Sequence, residues 1–406
     1  MTAVQILGFI GILLVIGFLA DYLFRKASFP DILILLALGY LIGPVFKIID
    51  PSQIAPASQI IASLALVVIL FNGGLDLKFA AVLSSAPRAL ILVVLGIGAS
   101  MAATAALTYY ILDWELMDSL LLGAIVGGTS PSIVMPLVSR AKVPEKVSSV
   151  LNLESAFDGA LVIVIALVIL QLMTGGKTGN EASMVGQAIA IKFSLGAAIG
   201  VGAGFFWLWV LTLLEGEIFD DILTLAIVFL VYFGVESING SGVIFALVFG
   251  VMLGNGVEVA KFLRIKRTVE IHDVMRKFHS QMSFLIKTFF FVYLGLMITF
   301  DEPSIIVTGV VLSLALLFVR YIVALLTSIG SRTLFANCGF LTTMFPRGLS
   351  AAVVAEIVVV AGIPNASVYP NIIMVVIVAT VVIAALGIPI FARKPPEEAP
   401  EQLKQG

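Results

Sequence analysis

The feature that most constrains this chain is an apolar run, LNLESAFDGALVIVIALVIL, which extends from Leu151 to Leu170 and carries two acids near its start. The run is as long as the roughly 20 residues that a helix needs to cross a bilayer. A carboxylate near the bilayer centre costs about 2.5–3.5 kcal/mol on insertion scales, so it usually has a function. Helical spacing places Glu154 and Asp158 one turn apart on one face, with Ser155 beside both. We expect this face to bind a proton or a small cation.

Similar apolar runs recur along the whole chain of 406 residues, of which 60% are hydrophobic and 12% charged. A soluble protein of this size cannot bury so much apolar surface, and the runs lack the alternation of a membrane β-barrel. The sequence therefore predicts an all-α polytopic membrane protein. Thirteen runs are long enough to be transmembrane helices, at about 3–24, 31–49, 57–77, 87–112, 116–139, 147–173, 184–214, 219–237, 241–257, 279–300, 303–331, 338–362 and 367–392.

Lysine and arginine are distributed unequally between the predicted loops. If the C-terminus is cytoplasmic, most basic loop residues lie inside and only Lys47, Lys177 and Lys192 lie outside, as the positive-inside rule requires. With thirteen spans the N-terminus is then outside, and we expect a multi-pass protein of the plasma membrane. Residues 1–393 are predicted to form one transmembrane domain, and the Pro- and Glu-rich segment 394–406 a disordered cytoplasmic tail.

Two predicted spans contain helix breakers near their middles, GGTSPS at 127–132 and FPRG at 345–348. Non-helical backbone at membrane depth is tolerated where it is packed in protein or lines a cavity. Interrupted helices at matching places in two halves indicate a transporter binding site. Here each broken span is the fifth of its half, and the two run in opposite directions.

The halves therefore predict inverted-topology repeats. Repeat one covers about 1–174, a linking helix about 184–214, and repeat two about 219–393. The similarity between them is one of pattern, without convincing similarity of residues. The simpler alternative for GGTSPS is a proline kink.

Six charged side chains lie within predicted spans, and their pairing limits the possible chemistry. They are Glu154, Asp158, Lys287, Arg320, Arg347 and Glu356. A buried arginine stays protonated and needs an anionic partner, so we pair Glu154 with Arg320 or Arg347. Asp158 is then the carboxylate that remains free to titrate. The alternative is that all six form packing ion pairs.

Neutral polar groups could complete a cation site beside Asp158. Thr129, Ser130 and the freed carbonyls of the first break supply oxygens that hard monovalent ions accept. Glu356 and Asn72 are secondary candidates. Lys287 either belongs to the site or extends towards the membrane interface.

These motifs together resemble the monovalent cation:proton antiporter superfamily, especially the NhaP-type Na⁺/H⁺ antiporters and related archaeal antiporters. The resemblance covers almost the whole chain and depends on six marks in order, LFNGGLDL at 70–77, GGTSPSIVMPLVSR at 127–140, LNLESAFDGAL at 151–161, KTFFFVYLGL at 287–296, Arg320, and FPRGLSAAV at 345–353. It implies inverted repeats with two crossed discontinuous helices, a homodimer and elevator-type alternating access. It also implies that Glu154 bonds an arginine while Ser155, Thr129 and Ser130 surround the ion.

The sequence departs from this family at two places. The family usually has an acid where this chain has Ser130. Its ion-binding helix reads Glu-Ser-x-x-Asn/Thr-Asp, which places Asp158 at the Asn/Thr position and Gly159 at the position of the essential aspartate. We hypothesise that Asp158 takes over proton and cation binding, which gives an electroneutral one-for-one exchange of Na⁺, K⁺ or Li⁺ for a proton. A homologue with impaired or altered coupling is the alternative.

Other function classes fit the residues less well. A sodium-coupled organic-anion symporter could also use crossed broken helices, and a channel could use Asp158 structurally. We do not expect an enzyme, because the only histidines, His272 and His279, lie in a predicted basic loop, and Cys338 is the single cysteine. No cofactor and no nucleic-acid partner is expected. The predicted partners are membrane lipid, the transported cations and protons, and a second copy of the chain.

Overall fold

A computed structural model describes residues 3–27, 31–49, 55–75, 77, 79–174, 181–214, 219–262, 273–298 and 302–391. Every regular element in this part of the chain is helical, as the sequence predicts. The α-helices are α1 (Ala3–Ala27), α2 (Asp31–Tyr40), α3 (Ala55–Leu75), α4 (Phe79–Ile111), α5 (Leu116–Ile125), α6 (Pro131–Arg140), α7 (Glu145–Thr174), α8 (Glu181–Leu213), α9 (Asp220–Ser237), α10 (Gly242–Gly254), α11 (Gly256–Phe262), α12 (Asp273–Met297), α13 (Pro303–Ser328), α14 (Arg332–Ala336), α15 (Cys338–Thr343), α16 (Leu349–Ala361) and α17 (Tyr369–Phe391). The predicted tail 394–406 lies outside the described residues.

Each predicted apolar run corresponds to one helix or to consecutive shorter helices. Six described helices, within α4, α7, α8, α12, α13 and α17, are long and apolar enough to cross a membrane. Shorter apolar helices lie in α1, α2, α3, α5, α10 and α16. The chain is therefore a multi-pass helical membrane protein, whereas the number of thirteen spans stays a prediction.

The helices pack in two groups. One group consists of α4–α7 and α13–α17, and within it α7 contacts α4, α5, α6 and α16. The other group consists of α1–α3 and α8–α12. The main contacts between the groups are those of α3 with α7 and α16, and of α8 with α7. The acids of α7 therefore lie within the first group, and α7 is one of the helices that contact the second.

Two helix pairs of the second group approach each other so closely that their backbones touch. A Cβ atom at Gly39 of α2 would lie 2.8 Å from the Cα of Gly295 on α12. A Cβ at Gly74 of α3 would lie 3.1 Å from the carbonyl carbon of Gly250 on α10. Only glycine fits at these positions, because any side chain would overlap the backbone of the neighbouring helix.

Both predicted breaks are real interruptions of helical structure. Between α5 and α6 the chain is non-helical over residues 126–130, and between α15 and α16 over residues 344–348. Pro131 starts α6, where its missing N–H removes no helical hydrogen bond. The two breaks are in direct contact, since the Ser130 N–H donates to the carbonyl oxygen of Pro346 at 2.9 Å. The halves of the chain therefore meet at the non-helical segments that the sequence singles out.

Candidate functional site

Asp158 lies on α7 against the first break, and only one of its carboxylate oxygens is satisfied. Oδ2 accepts hydrogen bonds from the backbone N–H of Thr129 at 2.8 Å and from its hydroxyl at 3.1 Å. Oδ1 is buried and has no hydrogen-bond partner among the described residues. The side chain is 2% exposed. A buried carboxylate with one free oxygen is able to accept a proton or to coordinate a cation.

Asp158 opens into a small space that we call the occluded pocket, too narrow to hold a water-sized sphere. Its lining comes from both breaks and from α7, and consists of Ile125, Gly128, Thr129, Ser130, Asp158, Val162, Gly348, Ser350 and Ala351. The N-terminal ends of α6 and α16 adjoin the pocket, and their partial positive charge favours an anionic group there. Residues of both breaks thus line the same pocket as Asp158.

Glu154, one turn before Asp158, has a complete set of partners. Arg320 of α13 binds both carboxylate oxygens, through Nη1 to Oε1 and through Nη2 to Oε2 at 2.8 Å. The same guanidinium donates to the carbonyl oxygens of Leu341 at 2.9 Å and Met344 at 3.2 Å. The pair therefore joins α7 and α13 to the C-terminal end of α15.

Arg347 lies in the second break and takes no part in that pair. Its backbone N–H donates to the Thr380 hydroxyl at 3.0 Å, and its guanidinium carbon lies 5.6 Å from the centre of the Phe345 ring. The Nε atom has no hydrogen-bond partner among the described residues. Its charge acts on Asp158 at longer range. Of the two arginines that the sequence offers to Glu154, the structure selects Arg320.

The structure brings together some of the predicted ion ligands and separates others. Thr129 and Ser130 line the occluded pocket with Asp158, and the Ser130 hydroxyl lies 3.1 Å from that of Ser132. Ser155 is fully buried, but its hydroxyl donates to the carbonyl of Asn152 at 3.1 Å and it does not line the pocket. The ion-binding roles of all four residues stay predictions.

The secondary candidates lie away from the occluded pocket. Glu356 of α16 is hydrogen-bonded to Tyr293 of α12, and Lys287 of α12 donates to Asp31 of α2 at 2.6 Å. Asn72 is half-buried on α3. These contacts connect α12 to α16 and to α2.

Asn72 and Lys287 both line a larger cavity of about 620 Å³, which we call the vestibule. Its walls come from α1, α3, α6 and α12, and include Phe18, Asp21, Ile69, Asn72, Gly73, Pro131, Ser132, Met135, Pro136, Lys277, Ser280, Gln281, Ser283, Phe284 and Lys287. The exposed Lys277, Ser280 and Gln281 connect it to the surface. The lining includes Pro131 and Ser132, which follow Ser130 directly in the chain. The vestibule therefore leads from the surface to one face of the first break.

Sequence reasoning missed the role of Asp31. The residue is buried, and its carboxylate forms an ion pair with Lys287. A lysine inside an apolar helix requires an acidic partner, and an unassigned aspartate at the start of the second apolar run was the signal that could have identified it.

The placement of His279 in a loop was wrong, because it lies within α12, buried between the rings of Phe71 and Phe278. Within the described ranges, no group of three or more His, Cys, Asp or Glu side chains is arranged to hold a metal ion.

A model of the protein family described as "Sodium/hydrogen exchanger, transmembrane" matches residues 10–394. The K(+)/H(+) antiporter NhaP2 of Shewanella baltica is 25% identical over 383 residues, which are 92% of this chain and 64% of that protein. The Na(+)/H(+) antiporter 1 of Methanocaldococcus jannaschii is also 25% identical over 383 residues, which are 91% of this chain and 87% of that protein. The chain thus spans about two thirds of the NhaP2 relatives and most of the archaeal one.

The fold is similar to that of a solved structure. The sodium proton antiporter MjNhaP1 from Methanocaldococcus jannaschii, determined at pH 8, superposes with a TM-score of 0.77 over 97% of both chains, at 22% sequence identity. At this identity the likeness establishes the fold alone.

Proposed function

Since this chain belongs to the sodium/hydrogen exchanger family, we propose that it is a secondary antiporter that exchanges a monovalent cation for a proton. The observation that carries the proposal is the half-satisfied carboxylate of Asp158, which faces the occluded pocket between two contacting helix breaks. Thr129 holds one oxygen in place, and the other is left for the transported ion. Ser130, Thr129 and Ser155 are the proposed neutral ligands.

A single carboxylate supports exchange because its two occupants exclude each other. Asp158 binds either a proton or a cation, and each occupied form is neutral. One cation then crosses for each proton, and no net charge moves. Glu154 remains paired with Arg320 throughout the proposed cycle. A direct consequence is competition, so the apparent KM for the cation rises as the pH falls.

The vestibule provides access from one face of the membrane. Its lining includes Pro131 and Ser132, whereas the occluded pocket, which Thr129 and Ser130 line, has no room for water. With the predicted orientation the vestibule is cytoplasmic, and we propose elevator-type alternating access in which the group around α7 moves relative to the other group. Thirteen membrane spans, crossing of the two broken helices and a homodimer belong to the same proposal, in agreement with the family resemblance.

The transported cation is proposed to be Na⁺, with K⁺ or Li⁺ as alternatives. The relatives give both possibilities, since the Shewanella protein is named a K(+)/H(+) antiporter and the archaeal one a Na(+)/H(+) antiporter. The number of oxygens around the ion decides between them.

Purified protein in proteoliposomes with an internal pH-sensitive dye tests the proposal. We expect added Na⁺, K⁺ or Li⁺ to change the internal pH with wild type, and Asp158→Asn to abolish the response. Glu356→Gln is the matched control, because it also neutralises a buried acid but lies against Tyr293, away from the pocket. An Asp158→Asn protein that exchanges as fast as wild type would show that the site is elsewhere.

A further inference from the structure

The pair formed by Asp31 and Lys287 lies beside the route that the proposed function requires. Lys287 Nζ donates to Asp31 Oδ2 at 2.6 Å, and the lysine and aspartate side chains are 16% and 7% exposed. Asp31 is the first residue of α2, and its Oδ1 also accepts from the N–H of Ile32 at 3.0 Å. The aspartate is therefore held in position independently of the lysine.

Only the lysine of this pair lines the vestibule. Lys287 and Ser132 line the same cavity, while Asp31 is not part of the lining. Among the described lining residues, the other charged ones are Asp21 and Lys277. Asp21, Lys277 and Lys287 together carry a net positive charge, which would no longer be offset if Asp31 were removed. A cation on its way to Ser130 would then meet an excess of positive charge.

We propose that Asp31 is a positioning residue that holds the Lys287 ammonium aside and offsets its charge, and that the balance of this pair sets the affinity of the vestibule for the entering cation. The inference rests on the proposed cation exchange. Neither residue touches the ion in the occluded pocket. Both act at long range through the electrostatic potential inside a confined cavity, where low-dielectric walls strengthen the effect of a single charge.

The direction in which each substitution changes the KM for the cation distinguishes this role from a structural one. If the pair only held α2 against α12, removing either partner would impair the protein in the same direction. If the pair tunes the vestibule, removing the acid leaves an uncompensated ammonium that repels cations. Removing the lysine leaves an uncompensated carboxylate that attracts them. At an effective dielectric between those of protein and water, one charge within the vestibule changes the cation concentration there by roughly three- to tenfold.

The test compares wild type with Asp31→Asn, Lys287→Gln and the double variant Asp31→Asn/Lys287→Gln in proteoliposomes, measured by the pH-dye assay over a range of Na⁺ concentrations. We expect the KM for Na⁺ to rise roughly three- to tenfold in Asp31→Asn, to fall in Lys287→Gln, and to return close to wild type in the double variant, with similar maximal rates. Added N-methylglucamine chloride should reduce these differences through screening. Lys261→Gln, which removes an exposed lysine of α11 outside the vestibule, should leave KM unchanged.

Three results would overturn the inference, and a fourth separates it from the proposed function. KM changes of the same sign in both single variants, or lower maximal rates at unchanged KM, would mean that the pair only packs α2 against α12. A double variant with the KM of Asp31→Asn would show that the lysine charge is not what the acid offsets. If wild type itself fails to exchange any of the three cations, the proposed function fails and the inference fails with it.

Discussion

Glu154 and Asp158 are acids one helical turn apart on α7, yet their surroundings differ completely. Glu154 has a bidentate arginine partner that is itself fixed by two backbone carbonyls. Asp158 has two hydrogen bonds from Thr129 on one oxygen and none on the other. Burial is the same for both, at 1% and 2% exposed. The difference teaches that completeness of partners, not burial, separates a carboxylate that stabilises the fold from one available for chemistry.

The largest expected effect comes from removing the guanidinium of Arg320, which pairs with Glu154. Arg320→Ala leaves Glu154 as a buried charge without a partner, which costs about 3–5 kcal/mol. We expect a strongly reduced yield and a lower apparent melting temperature in detergent. The double variant Glu154→Leu/Arg320→Met should recover most of that stability, because it removes both charges together. A single variant as stable as wild type would refute the structural assignment of Glu154.

The next largest effect is expected when the carboxylate of Asp158 is moved by one residue. This change tests whether the acid must be at residue 158. A Cβ at Gly159 would lie 3.1 Å from Pro131 and 3.4 Å from the Ser350 hydroxyl, next to the same two breaks. We expect Asp158→Asn/Gly159→Asp to exchange cations about 100-fold more slowly than wild type, yet measurably above Asp158→Asn, because the acid is displaced by roughly an ångström or more. The pH-dye assay measures both rates.

The control for this displacement is Gly159→Ala, which adds the Cβ without the acid and should retain most of the activity. Recovery to the full wild-type rate in the double variant would indicate that Asp158 is not in a specialised position. No recovery in a well-folded protein would indicate that an acid at 159 cannot reach the ion.

A smaller effect is expected at the residue that fixes the satisfied oxygen of Asp158. Thr129→Val removes the hydroxyl donor at 3.1 Å and keeps the backbone donor at 2.8 Å. A hydrogen bond to a charged group contributes about 1.5–3 kcal/mol, so the KM for the cation should rise by about tenfold or more. Thr129→Ser retains a hydroxyl and serves as the control. Equal KM values for the valine and serine variants would contradict a role for the hydroxyl.

The smallest effect is expected at Ser155, between the two acids in sequence. Its hydroxyl already donates to the carbonyl of Asn152, and the residue lies outside the occluded pocket. We expect Ser155→Ala to raise the KM for the cation about twofold, within the range of one weak neutral interaction. A change as large as that of Thr129→Val would indicate that Ser155 contributes to cation binding as strongly as Thr129.

Most of the fold could be predicted from the sequence because the helices and their interruptions are encoded by short, local sequence patterns. Continuous apolar runs fixed the positions of the helices, and GGTSPS and FPRG located both interruptions to within a few residues. Partner choice was not accessible in the same way. Arg320 and Arg347 are both arginines in apolar runs, and only the packing of α13 against the end of α15 selects Arg320. The contact between Asp31 and Lys287 joins residues 256 positions apart, so no local pattern reveals it.

The glycine contacts of α2 with α12 and of α3 with α10 limit how this molecule can change shape. Where two backbones touch without side chains between them, there is no layer of flexible groups to absorb sliding or rotation, so each of these pairs behaves as one rigid body. Rearrangement during a transport cycle is therefore expected outside these pairs, along the contacts of α3 with α7 and α16. The distance between two spectroscopic labels placed across that boundary should change when the cation binds. The distance between two labels placed across either glycine pair should stay constant.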